Sequence, residues 1–164
     1  MAVPEDEQRR ADLARFARRL YDRGLTTAQD GNLSARSEGG TFLITPSGLD
    51  KAALEPGHML RVDAEGRVVE GDRSPSMETF MHLAVYAQRP DVQAVIHAHP
   101  PMAIAFTLAG LPLTSAALPE ALVAFGEIGI ARYELPGSRE LADAVRGPVR
   151  THDAIVLERH GALT

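Results

Sequence analysis

Leu13, Phe16, Ala17, Leu20 and Tyr21 recur at intervals of three and four, so residues 5–23 are expected as an amphipathic helix with one buried stripe. Gly24 suits its end, because glycine enters the left-handed region without steric cost. Beyond it the pattern shortens to strands. Leu33 to Arg36 and Thr41 to Ile44 read as two of these, and Met59–Val62 and Arg67–Val69 as a hairpin turning at Glu65-Gly66. Ser74-Pro75 looks like a helix start, with Phe80, Leu83, Ala84 and Ala87 as the core face of a helix reaching about Arg89. The apolar run Val92 to His99 is a strand, and Met102 to Leu108 is expected as a short helix in the core. A further strand runs to about Tyr133. Ser138 then caps a helix carrying Leu141, Ala144 and Val145, and Ala154–Glu158 is a buried strand.

Composition narrows the class without deciding it. With 164 residues, 45% of them hydrophobic and 24% charged, the chain can bury a substantial single core. No apolar run approaches the roughly 20 residues needed to cross a bilayer. Met1 to Arg10 is charged, with no apolar stretch after it, so a cytoplasmic protein without a secretory signal is expected. A net charge of −5 argues against a broad nucleic-acid surface. The absence of cysteine removes disulfides and thiolate ligands, leaving His, Asp and Glu to hold any metal.

The chemistry gathers around His97-Ala98-His99-Pro100-Pro101. Side chains at i and i+2 of a strand leave on one face, so the two imidazoles can converge on one metal ion. Two histidines capping a buried strand explain the dipeptide spacing equally well. A third, His160, follows the strand Ala154–Glu158, and three protein nitrogens with one open position match a catalytic zinc site. Glu78 falls in the expected first helical turn, where the helix dipole favours a carboxylate. Beside a metal it would instead serve as proton acceptor for chemistry next to a carbonyl. His82 lies one turn on and reads as a packing or supporting histidine; His58 reads as a surface one. Gly31-Asn32 marks a turn that could also hold an anion. Thr45-Pro46-Ser47-Gly48 is a hydroxyl-rich loop lacking the lysine and spacing of a nucleotide P-loop.

Taken together, GNLSAR at Gly31–Arg36, ITPSG at Ile44–Gly48, PSMETFMHLAVY at Pro75–Tyr86, RPDVQAVIHAHPP at Arg89–Pro101, PGSRELADAV at Pro136–Val145 and HDAIVLERHGALT at His152–Thr164 resemble the class II aldolase/adducin family, especially the L-fuculose-1-phosphate aldolases. They follow the family's order and cover nearly the whole chain. The resemblance implies an α/β fold, a three-layer α/β/α arrangement around a mainly antiparallel sheet, and a homotetramer with sites between subunits. It implies His97, His99 and His160 as zinc ligands, Glu78 as the acid/base, and Asn32, Ser47, Gly48 and Ser76 as the pocket for a substrate phosphate. The implied reaction is reversible cleavage of a sugar phosphate to dihydroxyacetone phosphate and an aldehyde through a metal-stabilised enediolate. A pentulose-phosphate 4-epimerase, a dehydratase, a decarboxylase and a metal-free adducin-like oligomerisation module are the alternatives; Glu78, where the epimerases tend to place Asp, favours the aldolase over the first of these.

Three departures from the family pattern stand out. Met77 replaces the second serine before the glutamate. No tyrosine lies between Thr114 and Pro119, where some aldolases lend one to a neighbouring subunit. The chain is read as a single domain, 1–164, without the helices that follow the third ligand in relatives.

Overall fold

Eight strands form one mixed sheet in the order β4-β3-β2-β1-β5-β8-β7-β6. In this computed structural model, which describes residues 5–113 and 119–164, they are β1 (Asn32–Arg36), β2 (Phe42–Ile44), β3 (Leu60–Val62), β4 (Val68–Glu70), β5 (Ala94–Ala98), β6 (Gly129–Ala131), β7 (Ile155–Leu157) and β8 (Gly161–Leu163). Every neighbouring pair is antiparallel except β6 and β7. The helices are α1 (Glu5–Asp22), α2 (Thr79–Gln88), α3 (Pro101–Leu108), α4 (Pro119–Phe125) and α5 (Arg139–Arg146). The segment 114–118, where the missing tyrosine was noted, lies outside the described residues.

Alternation along the strands separates two cores, giving the expected three layers. Leu33 and Ala35 on β1 and Leu43 on β2 face α1, where they join Leu13, Ala14 and Ala17. Phe42 and Ile44, with Leu60, Val62 and Val95, face the other way, against Met81, Val85 and Tyr86 of α2 and Leu141 and Val145 of α5. The inner stripe of α1 is narrower than its periodicity suggests. Phe16 and Tyr21 are exposed, because the small residues Ala14 and Ala17 make the close contact. Arg36 at the end of β1 donates to Tyr86 O at 2.8 Å, Arg89 O at 3.1 Å and Val92 O at 2.7 Å. Its guanidinium thereby satisfies carbonyls at the C-terminus of α2, where a cation is also favoured by the helix dipole.

Three expectations need correction. Helix α2 begins at Thr79, not at Ser74-Pro75, because Pro75 bridges Pro46 and Ser74 O accepts from Ser47 N at 2.9 Å. That pairing ties the start of this stretch to the loop after β2. The buried face of α2 is Met81, His82, Ala84, Val85 and Tyr86, with Phe80 and Leu83 half-buried and Ala87 exposed, since the sheet and α5 cover adjoining sides. Helix α3 is not core: none of its residues is fully buried, and Met102 and Leu108 are exposed. No helix among the described residues is long and apolar enough to cross a membrane.

Candidate metal centre

His97 is delivered by β5 into the middle of the sheet, directly opposite Asn32 on β1 and Leu163 on β8. Its side chain is on the α2 side and fully buried. His99 lies just past the strand end, where its backbone N–H leaves the ladder to donate to Leu25 O at 2.7 Å. His160 was expected at the end of a strand. It stands instead in the three-residue turn Glu158-Arg159-His160 between β7 and β8, because β7 already ends at Leu157, which pairs with Gly161. Arg159 takes a left-handed conformation there, with φ of 56°.

Two glycines permit this convergence. A Cβ at Gly161 would stand 2.4 Å from Ala98 O and 3.0 and 3.1 Å from atoms of the His97 and His99 rings. A Cβ at Gly31 would stand 2.8 Å from His97 O. Both strands approach β5 more closely than any side chain allows.

The ligating atoms of His97, His99 and His160 all lie within 4.8 Å of one another. His97 Nδ1 donates to Ala162 O at 2.9 Å, which leaves Nε2 bare in the neutral ring. That nitrogen faces His99 Nε2 at 2.9 Å and Glu78 Oε2 at 3.2 Å. Two imidazoles bound tetrahedrally to zinc would hold their nitrogens about 3.3 Å apart, so the observed spacing is close to that of ligands. Among the described residues the buried atoms His160 Nδ1 and Glu78 Oε1 have no hydrogen-bond partner. Glu78 Oε1 comes within 3.2 Å of His160 Nε2, but without hydrogen-bond alignment. Lone pairs directed at one another around orphaned polar atoms suit a bound cation, and the donor set fits a divalent metal.

Glu78 occupies the residue before α2 but makes no capping bond. Its Oε2 accepts instead from Asn32 Nδ2 at 2.8 Å. Asn32 Oδ1 lies 2.6 Å from His82 Nε2, His82 Nδ1 2.7 Å from Ser34 Oγ, and Ser34 Oγ 2.8 Å from the Tyr86 hydroxyl. An ionised carboxylate can only accept, so Asn32 must present its NH2 to Glu78 and its oxygen to His82. His82 is then protonated at Nε2, Ser34 donates to Nδ1, and Tyr86 donates to Ser34. Every donor in the chain points toward Glu78.

Burial alone would push the Glu78 carboxyl up, but His160, His97 and the Asn32 amide together hold it at about 2. Burial pushes His97 down to about 4 and His82 down to about 3, and it lowers His99 as well. Neutral imidazole is the form that binds a metal.

A cavity of about 270 Å3 opens beside this cluster, lined by Asn32, Ser47, Ser76, Glu78, His99 and His160 among others. Five of the expected phosphate-pocket, base and ligand positions besides His99 therefore share one cleft with it. Gly48 is not among the lining residues, although its φ of 74° shapes the loop carrying Ser47. Gln29, Asp30, Lys51, Met77 and Pro136 line it too. Of these, the sequence singles out only Met77, as the replacement for the second serine; a lone lysine three residues after Gly48 was the available signal for Lys51. Ser34, Tyr86 and Gly161 were likewise missed as supports of the site.

Residues 11–164 match the family described as Class II Aldolase and Adducin N-terminal domain. The chain is 32% identical over 160 residues to a 5-deoxy-D-ribulose 1-phosphate aldolase of Bacillus thuringiensis serovar kurstaki, covering 96% of this chain and 74% of that one. It is 30% identical over 160 residues to a 3-oxo-tetronate 4-phosphate decarboxylase of Escherichia coli, covering 95% and 75%. The solved structure of an L-fuculose 1-phosphate aldolase superposes with a TM-score of 0.87 at 34% identity, over 100% of this chain and 76% of that one. Agreement of this extent, in sequence over residues 11–164 and in overall fold, makes the chain a member of the class II aldolase and adducin family and a lyase.

Proposed function

We propose that the chain is a metal-dependent aldolase that cleaves, or in reverse forms, a carbon–carbon bond in a ketose 1-phosphate. The observation carrying this reading is the meeting of three imidazoles, with ligating atoms within 4.8 Å, against a carboxylate 3.2 Å from two of them. His97, His99 and His160 would hold the ion, and zinc suits three neutral nitrogens with no thiolate. Such an ion, when bound, supplies a Lewis acid that stabilises negative charge developing on substrate oxygen.

The protein's own part is proton transfer and positioning. Glu78, ionised at neutral pH, removes a proton from the carbon next to the carbonyl in the synthetic direction, and returns one to it in cleavage. Asn32, fixed by His82, keeps the carboxylate turned toward the histidines. Ser47 and Ser76 offer hydroxyls, and the loop around Gly48 offers backbone amides, for the substrate phosphate. Met77 contributes no hydroxyl. The activities of these relatives support a small phosphorylated substrate such as 5-deoxyribulose 1-phosphate or L-fuculose 1-phosphate. A homotetramer, one catalytic domain per chain and a cytoplasmic location belong to the same reading; exposed Met102, Leu108, Leu111 and Val123 support burial between copies.

A decarboxylase is the second reading, favoured by the Escherichia coli relative. Both reactions leave charge next to a carbon that Glu78 can protonate. The test is a screen of ketose 1-phosphates and 3-oxo-acid phosphates with and without chelator, reading aldehyde and CO2 separately. Chelator-sensitive aldehyde release supports the aldolase; CO2 alone would replace it with the decarboxylase. Under one tenth of an equivalent of metal in fresh protein, with no uptake on dialysis, would remove both.

A further inference from the structure

Lys51 is the only lysine in the chain, and it is 2% exposed. It opens the short turn Lys51–Ala53, with Asp50 accepting from Ala52 N at 2.8 Å. Its own N–H donates to Ala28 O at 2.7 Å, and its Nζ donates to Gln29 O at 2.9 Å and Leu49 O at 3.2 Å. The side chain therefore joins the segment before β1 to the loop after β2. Lys51, Gln29 and Asp30 all line the cavity beside the histidines.

An ammonium group has three protons and no acceptor capacity. Two protons are accounted for by carbonyls, and among the described residues no carboxylate comes within 4.0 Å of Nζ. Burial lowers the Lys51 pKa, while Asp30 and Asp50 act on it from further away to raise it. Burying a cation without a paired anion is costly, and breaking such a pair is among the larger losses a fold can suffer. Among the described residues no arginine and no other lysine lines the cavity. A phosphate dianion held only by hydroxyls and amides would enter with little opposing charge.

We propose that Lys51 is the cationic anchor for the substrate's phosphate group, a specificity-determining residue that supplies a charged donor in a pocket where Met77 supplies none. This rests on the phosphorylated-substrate reading above. The neighbouring segments hold the ammonium in place through Gln29 O and Leu49 O, leaving its third proton for a phosphate oxygen. A charged hydrogen bond is stronger than a neutral one and carries no sequence signature of its own.

Because the chain has a single lysine, [15Nζ]lysine labelling gives one side-chain resonance, and inorganic phosphate can be titrated into the unmutated, metal-loaded protein. A saturable shift of that resonance is expected, and its absence at phosphate concentrations that inhibit the enzyme overturns the proposal. Lys51→Met is expected to raise KM for a ketose 1-phosphate about 100-fold with kcat within about threefold, to weaken inhibition by inorganic phosphate similarly, and to keep full metal content. Equal losses on phosphorylated and unphosphorylated substrates would make Lys51 a structural staple and overturn the proposal. The resonance titration needs no turnover, so a shift without aldolase or decarboxylase activity would sink the proposed function and leave the anion site standing.

Discussion

His82 Nε2 lies 2.6 Å from Asn32 Oδ1, and this contact decides which end of the asparagine amide faces Glu78. The histidine is fully buried and its other nitrogen is held by Ser34. It touches none of the three candidate ligands by hydrogen bond, yet it fixes the orientation of the group that holds the carboxylate. His82→Phe strands the Asn32 oxygen and the Ser34 hydroxyl, and should cost about 2–4 kcal/mol of stability. Tyr86→Phe removes only the far end of the chain and should cost about 1 kcal/mol. Turnover should fall at least tenfold in the first variant and stay within twofold in the second, with KM little changed in both. Chemical denaturation and steady-state kinetics on the two variants measure this gradient.

Acid should destabilise the metal-free protein well above the carboxylate range. His82 and His97 are held at about 3 and about 4, below the ordinary histidine value of 6.5. Between those values and 6.5 the unfolded chain binds protons that the folded chain refuses, so stability falls as pH drops through this window and is flat for these two groups above it. Urea midpoints should hold between pH 7.5 and about 6.5 and decline from there to pH 4.5. His82→Phe should reduce the slope by about one proton.

Gly161→Ala puts a methyl group 2.4 Å from Ala98 O and against two candidate ligands. It should cost about 2–4 kcal/mol and reduce bound metal. Gly39→Ala is the control, since Gly39 has φ of 65° but open space around it. It should cost only about 1 kcal/mol and leave metal content intact.

The three histidines should separate by burial. His99 is partly exposed at the cleft, so His99→Ala should abolish metal retention while leaving the fold assembled. His97 is fully buried and bonded to Ala162 O, so His97→Ala should lose metal and about 2–4 kcal/mol besides. Atomic emission on dialysed protein, with circular dichroism alongside, distinguishes the two.

Glu78→Gln keeps the size of the side chain and loses the base. Bound metal should remain, while solvent proton exchange at the carbon of a ketone substrate should fall by at least about 100-fold. Proton NMR in heavy water reads this directly, and exchange at the unmutated rate would remove Glu78 as the base.

Much of this was open to a reader of the residues, and for definite reasons. The i, i+2 spacing of His97 and His99 puts both on one face whatever surrounds them, because strand periodicity is local. The stripe of Leu13 and Ala17 marked α1, and Ser138 marked the start of α5 by a cap that accepts from Leu141 N at 3.1 Å. The start of α2 was misplaced because Ser74-Pro75 is a good local helix start that a distant segment, Pro46-Ser47, captures into pairing. The burial of Lys51 and the exposure of Met102 ran against their residue types for the same kind of reason.

Which residues carry the chemistry, and which periodicity each follows, is written locally along the chain. How they meet is a property of the folded molecule. It set Asn32 opposite His97, turned Glu78 away from capping its own helix, and brought His160 from a hairpin more than sixty positions away to within reach of His97. Such contacts are paid for by packing across the sheet, and Gly31 and Gly161 mark where backbones come too close for a side chain. Nothing in a single strand's own pattern encodes that approach, because it depends on the strand lying beside it.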